Sequence, residues 1–290
     1  MSDGSPRIGL VLGSGGARGL AHLVAFETFD RLGIKPVEIA GASIGAVLGA
    51  AYAAGFSGKA LRAHALRDFR DRAEVMSRLF KARVGRISDF WKQGLANPVL
   101  IDAVATLEKF LPAPLPSRFE DLDIPLSVIA ADLHRMERVV FTEGLLVPAV
   151  AASMAIPGLV RPVVHEGRVL VDGGAVDPLP IRAIRQPVDL ILAIDISRAA
   201  AREETEAIPG MVEVVTRAFD LMQSSLIDVQ HHVPPAPLYR IKAKVENFGA
   251  LDFFAAKKIL TAAEPIAAEI EAILNAVTHA KRLVSPERKP

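Results

Sequence analysis

The chain has 290 residues and a formal net charge of +1, with 51% hydrophobic and 23% charged residues. That is an ordinary globular composition, long enough to bury a large core, and it argues against both disorder and the dense basic face of a nucleic-acid binder. Zero cysteines exclude a disulfide framework, a thiolate metal site and a cysteine nucleophile.

The opening MSDGSPRIGL carries no basic stretch followed by an apolar run, so no export signal is expected. RIGLVLG is a short apolar run ending in glycine and predicts a fully buried strand. GSGGARG follows as a loop, and LAHLVAFETFDRLG as a helix closed by Gly33. VEIAGA predicts a second strand and IGAVLGAAYAAG a second helix. The uncharged stretch from Ile39 to Phe56 is close to membrane-span length, but small residues and a Gly-Ala-Ser turn make strand, turn and buried helix the better reading. Residues 57–120 read as helical, broken by prolines, with LPAPLPS (111–117) as a surface connection.

IPLSVIAADL (124–133) and RVVFT (138–142) predict strands, and LVPAVAASMAIPG a short helix running into a turn. RPVVHEGRVLVDGG predicts a hairpin turning at His165-Glu166-Gly167, and DLILAIDI (189–196) another buried strand. REETEAIPG is a solvated loop; helices are expected over about 209–232 and 252–283. Alternating strands and helices predict an α/β fold, a mostly parallel central sheet with helices on both faces. The whole chain, 1–290, reads as a single domain with its core at about 8–196 and C-terminal helices at about 209–283. Sites in such sheets form at the carboxyl ends of strands, where the glycine loop, the serine turn and the Asp132 and Asp195 turns all fall.

Gly41-Ala42-Ser43-Ile44-Gly45 fits G-x-S-x-G between a predicted strand and a predicted helix, the setting of a nucleophile elbow. Its bland alternative is a helix N-cap serine. Gly13 to Gly19 offers either a phosphate-cradling loop or backbone amides for an oxyanion. The G-x-G-x-x-G spacing fails, because Arg18 stands where the third glycine belongs, and no G-K-[ST] follows. The oxyanion reading is favoured, with Arg18 orienting the loop or meeting an anionic head group.

A serine hydrolase ordinarily pairs its nucleophile with a histidine. The candidates are His22, His64, His134, His165, His231, His232 and His279. His22 reads as a packed helix residue and His165 as a turn residue. A triad through His231 or His232 stays open as a minor reading. Val171-Asp172-Gly173-Gly174 provides another base, since a carboxylate can take a serine proton directly when its surroundings tune its basicity. An ordinary Asp-Gly turn is the competing reading there.

GSGGARG (13–19), GASIG (41–45), ASMAIPG (152–158) and VDGGAVDPLP (171–180), in that order, resemble the patatin-like phospholipases, within them the bacterial proteins similar to the neuropathy-target-esterase domain. The resemblance covers residues 8 to about 196. It implies a three-layer α/β/α esterase with a Ser-Asp dyad: Ser43 as nucleophile, Asp172 as base, and the backbone of Gly15, Gly16 and Ala17 as oxyanion hole. It implies an acyl-enzyme route, a lipid ester substrate, and neither cofactor nor metal. A catalytically idle regulatory domain and an acyltransferase using the same dyad are the alternatives.

In ASMAIPG, Ser153 is expected to be structural rather than a second nucleophile. Two departures stand out: Ser14 replaces a glycine common in relatives, and Asp177 an asparagine. Asp177 is expected to raise the pKa of one of the Asp172–Asp177 pair. A cytoplasmic location is expected, with peripheral contact at the inner membrane surface left open and no nucleic-acid partner.

Overall fold

A computed structural model of the chain describes residues 6–71, 100–112, 114–198, 210–230 and 234–284, together with 73, 75, 77, 83, 84 and 208. Its strands are β1 (Ile8–Leu12), β2 (Glu38–Ala42), β3 (Arg83–Val84), β4 (Leu100–Ile101), β5 (Leu126–Asp132), β6 (Glu137–Phe141), β7 (Val163–His165), β8 (Arg168–Asp172), β9 (Leu190–Asp195) and β10 (Leu238–Lys242). The helices are α1 (His22–Leu32), α2 (Ile44–Ala53), α3 (Gly58–Asp68), α4 (Ala103–Phe110), α5 (Leu146–Ser153), α6 (Met211–Gln230), α7 (Ala256–Ala263) and α8 (Pro265–Val284). Short 3₁₀ turns lie between them.

Eight strands form one sheet in the order β10-β9-β1-β2-β5-β8-β7, with β6 on the free edge of β5. The run β10-β9-β1-β2-β5 is parallel throughout. β6, β7 and β8 add an antiparallel corner. β3 and β4 pair with each other outside that sheet, and Ile101 of β4 also bridges Val160. Chain order reverses between β1 and β9, the switch point at which α/β sheets place their sites.

The strands read as continuous apolar runs because both sheet faces are covered. Ile8, Leu10, Leu12, Leu192 and Ile194 point into a large core shared with α1, α2, α5, α7 and α8. Val11, Ile191 and Ala193 point the other way, into a smaller core closed by residues 179–184 and by Ile227 of α6. The second face is therefore covered by a looped segment and one helix.

The structure adjusts several expected bounds. The glycine loop is half 3₁₀ helix, Gly16–Ala21, leading directly into α1, which Gly33 closes in the left-handed conformation (φ 65°) as anticipated. The stretch 39–56 is β2, a turn and the ten-residue α2, and no helix among the described residues is long and apolar enough to cross a membrane. The single helix expected over 252–283 is two, because Pro265 has no N–H to continue α7 and instead starts α8. β10 was not anticipated. Its sequence, LYRIK, alternates charged and apolar residues after a proline run, as an edge strand that avoids further pairing does. Of 57–120, residues 58–68 and 103–110 are helical, while most of 72–99 lies outside the described residues.

Candidate active site

Residues 43 and 172 meet because β2 and β8 share one edge of β5. β2 runs parallel to β5 and stops with Ala42 beside Ile129. β8 runs antiparallel and stops with Asp172 beside Ala130, the next residue along. Two strand ends thus arrive head to head, and the residues that leave them face each other.

Ser43 makes the turn from β2 into α2 with φ 55° and ψ −124°, a conformation that costs a non-glycine residue on the order of 1–3 kcal/mol. The flanking glycines are dictated by contact. A Cβ on Gly45 would lie 2.3 Å from the carbonyl oxygen of Leu12, and one on Gly41 would lie 2.6 Å from the Gly45 backbone. Ser153 Oγ accepts the Ser43 N–H at 2.9 Å, so the serine of ASMAIPG holds the elbow. Ser43 sits at the N-cap of α2 but its side chain makes no cap hydrogen bond. Its Oγ donates to Asp172 Oδ2 at 2.5 Å.

Asp172 is completely buried. Its other oxygen, Oδ1, accepts the Gly174 N–H at 2.7 Å, which fixes the carboxyl plane. A Cβ on Gly173 would sit 2.1 Å from the carbonyl oxygen of Ile129, so the Asp-Gly-Gly turn presses its backbone onto β5 while the carboxylate stands clear. Burial pushes the Asp172 pKa up to about 7, against the two hydrogen bonds that favour its ionised form. Such a carboxyl accepts and returns a proton near neutral pH.

The expected role of Asp177 is corrected. Its carboxylate pairs with Arg138, and burial raises its own pKa; Asp172 is raised by burial alone and owes nothing to Asp177.

In the glycine loop, Gly13 N–H donates to the Ile194 carbonyl and Ser14 N–H to that of Pro178. Ala17 N–H donates to the Ala250 carbonyl at 2.8 Å, which removes it from the expected set of three donors. The Gly15 and Gly16 N–H groups have no acceptor among the described residues. Arg18 orients the loop and is too deep for a head group. It is fully buried, with Nε on the Ile196 carbonyl, Nη1 on that of Phe248, and both Nη groups on Asp220, Nη2 at 2.5 Å.

No described histidine hydrogen-bonds the pair. His22 Nε2 lies 2.9 Å from the Gly13 carbonyl, which requires the Nε2–H tautomer and leaves Nδ1 buried without a partner. Burial lowers its pKa to about 4, so it is neutral. His64 bonds the Phe110 carbonyl and pairs with Asp68, His165 packs on Phe141, and His134 follows the β5 turn. His231 and His232 lie outside the described residues.

Two residues near the site were missed in the sequence. Asp220 anchors Arg18, and Gln223 Nε2 donates to Ser14 Oγ at 2.9 Å while lying 2.2 Å from where a Gly174 Cβ would be. Both project from α6, so one helix braces the glycine loop and the Asp172 turn together. Their signal was two polar residues in register with apolar Ile227, at i, i+3 and i+7.

A family model for patatin-like phospholipase matches residues 10–185. An uncharacterised NTE family protein of Mycobacterium tuberculosis is 34% identical over 226 residues, covering 78% of this chain and 59% of that protein. The lysophospholipase NTE1 of Saccharomyces cerevisiae is 26% identical over 273 residues, 85% of this chain and 15% of its own length. The chain thus spans less than two thirds of these relatives. Human GIVD cytosolic phospholipase A2 shares the fold with a TM-score of 0.51 at 13% identity, over 97% of this chain and 61% of that one. With the family model spanning residues 10–185 and both the elbow and the Asp-Gly-Gly turn inside it, the chain belongs to the patatin-like phospholipase family.

Proposed function

We propose that the chain is a lipid acyl hydrolase of phospholipase A or lysophospholipase type, working through an acyl-enzyme on Ser43. The observation that carries this is the 2.5 Å hydrogen bond from Ser43 Oγ to a buried Asp172 whose pKa stands at about 7. The names of the relatives, a lysophospholipase and a phospholipase A2, support an acyl ester of a lipid as substrate.

In this reading the ester carbonyl oxygen lies against the Gly15 and Gly16 amides, which stabilise the charge that develops on it. Asp172 takes the Ser43 proton as Oγ bonds to the carbonyl carbon. The ester C–O bond breaks and Asp172 gives that proton to the departing alcohol. Water then repeats the cycle: Asp172 takes its proton, the hydroxyl attacks the acyl carbon, and Ser43 leaves with the proton returned. The strained elbow and the Ser153 contact hold the nucleophile in place between turnovers, so no reorganisation precedes attack.

Labelling with a fluorophosphonate probe tests the reading. Wild type is expected to label on Ser43, with labelling abolished in Ser43→Ala and lost in Asp172→Asn. Label that survives Asp172→Asn transfers the base role to a histidine. Absence of label on folded wild type, together with no fatty acid released from lysophosphatidylcholine, leaves an idle domain and overturns the proposal.

A further inference from the structure

α6 is inverted relative to an ordinary surface helix. Its polar residues Asp220 and Gln223 face inward with Ile227, all three buried, against the glycine loop and the Gly173–Ala175 turn. Its outward face is aliphatic. Met211, Val215, Met222 and Val229 fall on one line at helical spacing, flanked by Val214 and Leu221, and their exposure runs from 41% at Val215 to 77% at Met211. A surface helix normally turns such a stripe toward the core. Here the core side is satisfied already, and among the described residues nothing covers the stripe.

What would cover it follows from size and composition. From residue 211 to 229 the ridge is about 27 Å long, and at about 10 Å across it offers roughly 300 Å². A stable protein interface takes about 800 Å² from each partner and is anchored on Trp, Tyr or Arg. The ridge is too small for that and has none of those anchors. The charged neighbours Glu213 and Arg217 pair with each other at 2.7 Å, and Asp228 lies 3.9 Å from Arg240, so no net charge selects a charged partner. A fluid apolar phase needs neither matched shape nor matched charge.

The inner face of the same helix braces the glycine loop and the Asp172 turn, so what the outer face touches lies one helix diameter, about 10 Å, from the loops that flank Ser43 and Asp172. We infer that the outward face of α6 seats on a phospholipid bilayer by insertion of its aliphatic ridge. This rests on the lipid-ester reading of the site and names the surface from which substrate arrives.

The test uses the full chain and the double variant Leu221→Glu/Met222→Glu, whose changes fall on exposed positions of a helix that tolerates glutamate. Three readouts are taken: co-sedimentation with phosphatidylcholine vesicles, fatty-acid release from those vesicles, and hydrolysis of soluble p-nitrophenyl butyrate. Expected is a loss of about tenfold or more in vesicle partition and vesicle turnover, with soluble-ester hydrolysis within about twofold of wild type. Wild-type partition should be equal at about 50 and about 500 mM salt, because insertion rather than charge holds the protein.

A variant that partitions like wild type, or a wild type that does not bind or that salt releases, overturns the inference. So does a concentration-dependent dimer in sedimentation velocity that the variant loses while its vesicle binding persists, which would assign the ridge to a second copy. If wild type neither labels on Ser43 nor hydrolyses any ester, the catalytic reading falls by itself. Vesicle co-sedimentation still decides the surface.

Discussion

Replacing Asp172 by asparagine isolates the energetic cost of the buried carboxyl. An ordinary aspartate titrates near 3.8, and burial lifts Asp172 to about 7. Between those values the folded chain holds a proton that the unfolded chain has released. The unfolded state then binds fewer protons, so stability falls as pH rises. Below the lower value nothing is lost, and above the upper one the full cost is present. At 1.36 kcal/mol per tenfold the gap is worth about 4 kcal/mol, of which about 3 kcal/mol develops between pH 5 and pH 8.

Asparagine keeps the shape and one acceptor and never ionises, so the variant escapes the cost. Unfolding entropy of about 2.1 cal/mol/K per residue gives roughly 600 cal/mol/K for this chain, and about 3 kcal/mol becomes about 5 °C. Scanning calorimetry of both proteins from pH 5 to pH 8 should show the variant's Tm advantage widening by that amount, while its hydrolysis of a soluble ester is lost. In wild type, kcat/KM should rise with pH through about 7 as the carboxyl ionises. Asp177→Asn serves as control and should leave that midpoint in place, since burial sets it. A Tm gap that stays flat with pH would mean an ordinary carboxyl in the folded state. A gap that narrows as pH rises would mean that partners stabilise the anion. Either result refutes the tuning argument.

Two further predictions concern the bracing helix. Arg18→Met strands Asp220 as a buried, uncompensated carboxylate and should cost about 3–5 kcal/mol in urea unfolding, whereas Arg18→Met combined with Asp220→Leu should recover most of it. Equal losses in the single and double variants would show that the guanidinium's carbonyl contacts, not the ion pair, hold the loop. Gln223→Leu removes the N–H donor to Ser14 at nearly constant volume, and about 1 kcal/mol of stability should go with it. If Gln223 positions the loop, kcat for a soluble ester should drop several-fold with KM unchanged; an unaltered kcat would reduce it to packing.

How much of this was legible depended on whether the determinant was local. The parallel strands could be read because burial on both faces makes each one a continuous apolar run, and the α1 stop because Gly33 alone adopts the left-handed cap without cost. β10 escaped because an edge strand with one buried face has no such run, and Tyr239 and Arg240 look like solvated loop after the prolines. The break in the C-terminal helix was written in Pro265 and passed over, because the apolar residues on either side keep helical spacing.

The site divides along the same line. The elbow and the Asp-Gly-Gly turn announce themselves because glycines there avoid collisions with Leu12 and Ile129, a demand that fixes residue type over a few positions. That the two turns meet follows from β2 and β8 sharing the edge of β5, which no pentapeptide encodes. The clamp on the glycine loop is hidden more deeply. Arg18 and Ala17 are held by the carbonyls of Ile196, Phe248 and Ala250, and any residue supplies a carbonyl. Only Asp220 and Gln223 left a trace, as polar positions on the inner side of a helix whose exposed ridge is aliphatic. Charge and amide groups in that place must find partners or unfold the element. A helix whose polar residues share a register with a buried isoleucine therefore reports that something polar waits beneath it, and here that is the loop from which Gly15 and Gly16 would receive the oxyanion.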